Sequence, residues 1–195
     1  MSRIAFFSIP AHGHTNPTVE VVRTLGARGH RVRYYSFEEF RGRLEGAGAE
    51  FVPCDSYLPP APRDVERRIG RDFASLIGMV VDVTVAMEEQ VLDELAAFRP
   101  HCIVADSLCI WGKLYAGQLG VPLVCSTTTF AFDQETAKGM RPSPAELLRT
   151  LAGLPRIGKK LALLRAHGYR AEKLTDLIQN DSGTDTIVYT SRAFQ

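Results

Sequence analysis

The chain repeats one arrangement three times: a helical pattern, then glycine, then a short strand pattern. The repeats occupy residues 16–35, 37–52 and 110–125. The opening run, residues 4–9, is apolar almost without alternation, as expected for a strand buried on both faces of a parallel sheet. Helices that alternate with buried strands are typical of right-handed βαβ crossovers. We therefore predict an α/β fold with a Rossmann-like, doubly wound parallel sheet.

Local signals predict where the elements of this sheet begin and end. Asn16 followed by Pro17 predicts a helix that starts with Asn16 as its N-cap, and Gly29 predicts its end. A longer helix is predicted over residues 69–98, because apolar residues recur there every three or four positions. Packing against the sheet explains that apolar stripe, and lining a ligand pocket is the alternative. Further strands are predicted over 102–105 and 186–190. The segment 54–62 is an irregular loop, and the segment 137–180 is helical in pattern but interrupted by Pro142, Pro144, Pro155 and Gly158. Segments of this length often carry function.

Size and charge limit the classes of function that this chain supports. Its 195 residues correspond to one domain, and a content of 45% hydrophobic and 23% charged residues is that of an ordinary globular protein. There are 23 basic and 22 acidic residues, which give a net charge of +1. A charge this small does not attract polyanions, so we expect neither nucleic acid nor a membrane surface as a partner.

The cysteines and the amino terminus predict the compartment. The four cysteines never form a C-x-x-C pair, which indicates buried free thiols in a reducing compartment and neither a zinc site nor a disulfide framework. The apolar start is too short for a signal peptide or a membrane span, and Asp82 interrupts the most apolar later stretch. These features predict a cytoplasmic protein.

Polar residues follow three of the predicted strands, at residues 10–17, 106–107 and 126–129. Loops that leave the carboxyl ends of parallel strands meet at one sheet edge, where ligands bind. His14 lies there beside the start of the predicted first helix, whose positive end favours a neutral imidazole suited to act as a general base. The alternative, that His12 and His14 only bond to the turn, stays open. The two-residue spacing without further ligands disfavours zinc.

Asp106 and the hydroxyl residues at the same edge each have two interpretations. Asp106 either caps the helix predicted over residues 110–119 or faces His14 across the sheet edge. The residues 126–129 serve as strand-end hydroxyls or as groups that face a pocket. The chain contains neither G-x-G-x-x-G nor G-x-x-x-x-G-K-[ST], which argues against a dinucleotide oxidoreductase and a P-loop nucleotidase.

Several blocks, in the right order from one end of the chain to the other, resemble the bacterial macrolide-type glycosyltransferases of the UDP-glycosyltransferase superfamily. The blocks are SIPAHGHTNP at 8–17, RGHRVRYY at 28–35, GAEFVP at 48–53, IVADSL at 103–108 with Trp111-Gly112, GVP at 120–122 with STTTF at 126–130, and IVYTSR at 187–192. The resemblance implies a GT-B fold, in which two Rossmann-like domains face each other across a cleft. Residues 1–195 would be the first, acceptor-binding domain, and the nucleotide-sugar-binding domain would be absent.

The resemblance also implies roles for individual residues. His14 would remove the proton of the acceptor hydroxyl, and Asp106 would orient the imidazole and neutralise its charge. The other implied contacts are Phe130, Phe132 and Tyr57 beside an apolar acceptor, and Ser126 and Thr127 as hydroxyls on the donor side. Members of the family invert the anomeric centre without an essential metal or cofactor, with the UDP-sugar as co-substrate.

Two hypotheses of different classes follow. In the first, the chain is the acceptor-binding half of an enzyme that moves a hexose from a UDP-sugar to a hydroxyl of a macrolide, flavonoid or other phenol, and it is inactive alone because it lacks the donor half. In the second, it is a non-catalytic binding module that pairs with a separate donor-binding chain through an exposed apolar surface. A nicotinamide or flavin enzyme ranks last, since the glycine fingerprint is missing.

Overall fold

Six parallel strands form one sheet in a computed structural model that describes residues 1–57, 73–128, 144–174, 177 and 184–189. The strands are β1 (Arg3–Phe7), β2 (Arg31–Ser36), β3 (Glu50–Pro53), β4 (Cys102–Asp106), β5 (Leu123–Thr127) and β6 (Asp185–Val188). Their order across the sheet is β3-β2-β1-β4-β5-β6. This is the order of a doubly wound Rossmann sheet. Successive strands are added on one side of β1 up to β3 and then on its other side from β4 onward, so the order changes direction between β1 and β4. The predicted fold class is confirmed.

Helices connect these strands. They are α1 (His12–Thr15), α2 (Thr18–Ala27), α3 (Arg41–Gly46), α4 (Phe73–Phe98), α5 (Ile110–Leu119) and α6 (Pro144–Ala166), with 3-10 turns at Glu38–Phe40 and Asp55–Tyr57. The predicted long helix agrees with α4, and its first residues, 69–72, lie outside the described part of the chain. The predicted strand ends agree with the structure to within two residues, apart from Thr190, which is also outside it.

Two local predictions are wrong. Asn16 is not an N-cap: its backbone is helical (φ −58°, ψ −42°), it ends α1, and α2 begins only after Pro17. Its side chain instead accepts a hydrogen bond from the Arg43 guanidinium at 2.6 Å. The second error concerns Pro155 and Gly158, which both lie within α6 and do not interrupt it. Although proline cannot donate the helical hydrogen bond, α6 packs against α4 on either side of Pro155, with Gly153 against Ala74 and an ion pair between Lys160 and Asp82.

Aromatic side chains fill the core on both faces of the sheet. Phe6 and Phe7 point to opposite faces of β1, and each stacks on its register partner in β2. The ring centroids of Phe6 and Tyr34 are 5.3 Å apart, and those of Phe7 and Tyr35 are 4.5 Å apart. All four side chains are buried. Burial of this kind on both faces explains why the first strand has no polar alternation.

None of the described helices combines the length and the apolar character that a membrane span requires.

Gly112 allows α5 to pack closely on the sheet. A Cβ atom at this position would lie 2.8 Å from the Ala105 Cβ and 3.0 Å from the Phe7 Cβ. We expect Gly112→Ala to lower the free energy of unfolding by about 1–3 kcal/mol, because neither strand can move away without disturbing the sheet. Gly117→Ala is the matched control in the same helix, since nothing lies within 4 Å of its Cβ position. Urea denaturation that gives equal midpoints for the two variants would contradict this packing.

The four cysteines are free thiols, and Cys54, Cys109 and Cys125 are buried. Burial raises the pKa of the Cys54 thiol to about 12 and also raises the pKa of Cys102 and Cys109. Because the thiolate is the reactive form, we expect slow modification by Ellman's reagent at a pH of about 8, faster as pH rises, and complete once the chain is unfolded. Cys102, which is only half-buried, is expected to react first in the folded chain. A fast phase that persists in Cys102→Ser would contradict that assignment.

Candidate active site

Strand register places a row of polar side chains at the carboxyl edge of one sheet face. Phe7 pairs with Tyr35 and with Ala105, so the following residues, Ser8, Ser36 and Asp106, come next to one another. Asp106 in turn pairs with Ser126 in β5. Because partners in parallel strands point to the same face, these side chains form one row across β2, β1, β4 and β5. The Ser8 and Ser36 hydroxyl oxygens lie 3.3 Å apart within it.

The one-turn helix α1 carries His14 over this row. The backbone amides of His14 and Thr15 both donate to the Ala11 carbonyl at 3.0 Å. The buried Thr15 hydroxyl lies 3.1 Å from the Ser8 hydroxyl, and the Thr18 hydroxyl donates to the Thr15 carbonyl at 2.7 Å. A helix this short has little stability of its own, so these buried contacts determine where His14 lies.

His14 and Asp106 form a close pair. The His14 Nδ1 lies 2.7 Å from the Asp106 Oδ2, and the two side chains are 15% and 1% exposed. The other carboxylate oxygen, Oδ1, accepts a hydrogen bond from the Leu108 amide at 2.9 Å. The N-cap position of α5 is occupied by Cys109, so the proposed capping role of Asp106 is not what the geometry shows. Both oxygens of this buried carboxylate therefore have partners.

Hydrogen-bond chemistry assigns the tautomer of His14. A carboxylate only accepts hydrogen bonds, so Nδ1 carries the hydrogen, and in the neutral imidazole Nε2 then has the lone pair. The described residues provide no hydrogen-bond partner for Nε2. His12, by contrast, is exposed. Its ring lies edge-on to the Phe40 ring, with the two ring centroids 5.0 Å apart. Of the two histidines of α1, only His14 presents a proton acceptor backed by a carboxylate.

The hydroxyl residues at the end of β5 and directly after it separate into two groups. Ser126 lies on the same face as Asp106, and its Oγ is 3.1 Å from the Tyr189 hydroxyl. Thr127 lies on the opposite face, with its Oγ1 3.6 Å from the Cys125 Sγ. Neither bonds to His14 or Asp106. Thr128 does contact the pair, with its Oγ1 3.0 Å from the His14 Nδ1.

Sequence reasoning placed Thr128 only within the polar run 126–129 and gave Tyr189 no role. The signal that identifies them is strand alternation, because Ser126 and Thr128 share the face of Asp106 once the register of β4 and β5 is known. Burial raises the pKa of the Tyr189 phenol, which lies half-buried beside Ser126.

Of the three residues predicted to contact the acceptor, the described structure includes only Tyr57. Tyr57 ends the 3-10 turn after β3, is half-buried against the hydrophobic core, and makes no hydrogen bond to His14 or Asp106. Burial raises the pKa of its phenol. Phe130 and Phe132 lie outside the described residues. Within the described residues, no group of three or more His, Cys, Asp or Glu side chains is arranged to hold a metal ion.

Known proteins are similar to this chain in sequence and fold. No protein-family model matches the chain. It is 30% identical to demethyllactenocin mycarosyltransferase of Streptomyces fradiae, in a match that covers 100% of this chain and 44% of that protein. It is 31% identical to oleandomycin glycosyltransferase of Streptomyces antibioticus, over 76% of this chain and 35% of that protein. The crystal structure of the glycotransferase of kitacinnamycin superposes with a TM-score of 0.73 at 25% identity, over 96% of this chain and 46% of that one.

The architecture is that of a Rossmann-like domain of the GT-B glycosyltransferases. The chain belongs with the macrolide and other antibiotic glycosyltransferases and corresponds to their N-terminal part. It spans less than half the length of the two curated relatives described above.

Asp106→Asn is expected to invert the tautomer of His14. The Leu108 amide, which donates to Oδ1, keeps the amide oxygen of asparagine on its side, so the NH2 group faces Nδ1 and requires a lone pair there. The hydrogen then resides on Nε2. Two-bond ¹H–¹⁵N correlation spectra of the imidazoles measure this directly. His167, whose Nδ1 lies 2.5 Å from the Glu88 Oε2, is an internal control with its own carboxylate partner. A His14 that keeps hydrogen on Nδ1 in the variant would contradict the assigned geometry.

Proposed function

We propose that this chain is the acceptor-binding half of an inverting glycosyltransferase, which moves a hexose from a UDP-sugar to a hydroxyl of a small apolar acceptor such as a macrolide or a phenol. Sugar transfer as the general activity is supported by the glycosyltransferase relatives. The observation that supports the role of this half is the buried pair of His14 and Asp106 at the ligand-binding edge of the sheet.

His14 acts as the general base in this proposal. Its Nε2 accepts the proton of the acceptor hydroxyl while the hydroxyl oxygen attacks the sugar. A phenol with a pKa of about 10 exceeds a free histidine, at about 6.5, by roughly 3.5 units, so complete transfer in advance would cost about 5 kcal/mol. Proton removal therefore accompanies attack. The Asp106 carboxylate, 2.7 Å from Nδ1, stabilises the imidazolium that develops.

The inverting course is a single displacement. The acceptor oxygen bonds to the anomeric carbon as the bond from that carbon to the nucleotide phosphate breaks, and the leaving diphosphate takes the electron pair. A retaining course through a covalent intermediate would need a carboxylate free to attack the sugar. Both oxygens of Asp106 are already engaged, by His14 and by the Leu108 amide. This arrangement suits Asp106 to support a base and not to act as a nucleophile.

The remaining contacts are proposed from family resemblance. Phe130, Phe132 and Tyr57 would line the apolar acceptor, and Ser126 and Thr127 would lie on the donor side. The position of Ser126 in the polar row beside Asp106 supports its assignment. Thr127 has less support, because it is buried on the other face of β5. No metal or organic cofactor is part of the proposal.

The test is sugar transfer with and without His14. We would join the chain to the C-terminal half of oleandomycin glycosyltransferase and detect hexose transfer by mass spectrometry. UDP-glucose and dTDP-glucose would be the donors, because the described residues do not identify the nucleotide, and phenols and macrolides would be the acceptors. His14→Ala is expected to reduce turnover about 10²- to 10⁴-fold, since it removes the base. His12→Ala is the matched control and is expected to retain transfer. Undiminished turnover by His14→Ala would contradict the base assignment.

The alternative is a non-catalytic module that pairs with a separate donor-binding chain. An exposed apolar surface on α6, to which such a chain could bind, favours it. Leu148, Leu151 and Leu154 recur every three residues along α6 and are 69%, 52% and 48% exposed. Adding the same donor half as a separate chain distinguishes the two functions. A complex that forms, as seen by sedimentation, while neither the complex nor the fusion transfers sugar would favour the binding module.

A further inference from the structure

We propose that Thr128 is a positioning residue that completes the His14–Asp106 pair by accepting a second hydrogen bond from the His14 Nδ1–H. The inference rests on the proposed role of His14 as the base. The Thr128 hydroxyl oxygen lies 3.0 Å from the His14 Nδ1, the same ring nitrogen that the Asp106 carboxylate contacts at 2.7 Å. The general-base mechanism proposed above gives this hydroxyl no role.

The valence of the ring nitrogen determines the direction of this bond. A single in-plane position on Nδ1 holds either one hydrogen or one lone pair. The Asp106 carboxylate has no hydrogen to donate, so Nδ1 must carry one and Thr128 must accept it. The two oxygens then share one N–H in a bifurcated bond. Thr128 therefore does not compete with Asp106 for the tautomer of His14 but reinforces it.

The second acceptor reaches His14 from a different strand. Asp106 is the last residue of β4, and Thr128 directly follows β5, whereas His14 belongs to the connection after β1. A ring bonded to one partner can swing about that bond, and a second partner from a neighbouring strand limits the swing. Fixing the ring also fixes the direction of the Nε2 lone pair, on which the distance to an acceptor hydroxyl depends.

Thr128 also supports the charge that catalysis would create. When Nε2 gains a proton, the Nδ1–H becomes a stronger donor, and both of its hydrogen bonds strengthen. The carboxylate supplies charge, and the threonine supplies a neutral dipole that is already oriented before the proton moves. Replacing the hydroxyl should therefore affect the chemical step more than acceptor binding.

Thr128→Val and Thr128→Ser test this inference. Valine keeps the branched shape and removes the hydroxyl, and serine restores the hydroxyl without the methyl group. In the fusion described above, we expect Thr128→Val to lower kcat roughly 2- to 10-fold, the range for one hydrogen bond, with little change in KM. Thr128→Ser is expected to recover most of the loss. A kcat that is unchanged in valine, or not rescued by serine, would overturn the positioning role.

Imidazole spectra of the 195-residue chain separate this inference from the proposed function, because they need neither donor nor acceptor. The His14 Nδ1 and Nδ1–H signals are expected to shift in Thr128→Val and to return in Thr128→Ser. Ser126→Ala is the matched control, since its hydroxyl bonds to Tyr189 and not to His14. Signals that stay unchanged in the valine variant would overturn the bifurcated bond. If the wild-type fusion transferred no sugar, that failure would count against the proposed function, and these spectra alone would decide whether Thr128 holds His14.

Discussion

The register of the parallel strands is the constraint on which the candidate site depends. Pairing of Phe7 with Ala105 brings the end of β1 level with Asp106, and pairing of Asp106 with Ser126 brings the end of β4 level with the hydroxyls of β5. A shift of one residue would turn every side chain of a strand to the other face. The polar row would then be divided between two faces, and His14 would meet Ala105 in place of a carboxylate.

This register is held by the core. Phe6 and Phe7 each stack on the partner directly across in β2, one on each face, and all four rings are buried. Large aromatic side chains fixed on both faces leave a strand no room to slide, since interiors are packed to nearly crystalline density. The apolar parts of β1 and β2 therefore set the positions of the polar residues that come next, Ser8 and Ser36.

The sequence was sufficient for the parts of the molecule that local pattern determines. Apolar strands and glycines with positive φ, such as Gly29 and Gly120, predicted the doubly wound sheet. It was not sufficient for α1, because a four-residue helix without a side-chain cap leaves no periodic signal, and Asn16-Pro17 resembled the start of α2. The sequence proposed His14 and Asp106 as possible neighbours across the sheet edge, but their distance and the contact with Thr128 depend on register, which sequence pattern does not provide.

The cost of the His14–Asp106 pair supports a functional interpretation of this edge. Burying a carboxylate that is 1% exposed costs free energy that its hydrogen bonds largely offset without a clear surplus. Apolar residues of similar volume would stabilise such a site as well or better. The helix above it is also too short to be stable alone and depends on buried hydroxyls. Stability alone therefore gives no reason for this arrangement. A general base does give a reason, because its proton-accepting nitrogen must keep one direction. His14 follows β1, and its partners come from the ends of β4 and β5, so residues from three strands fix the direction of the imidazole.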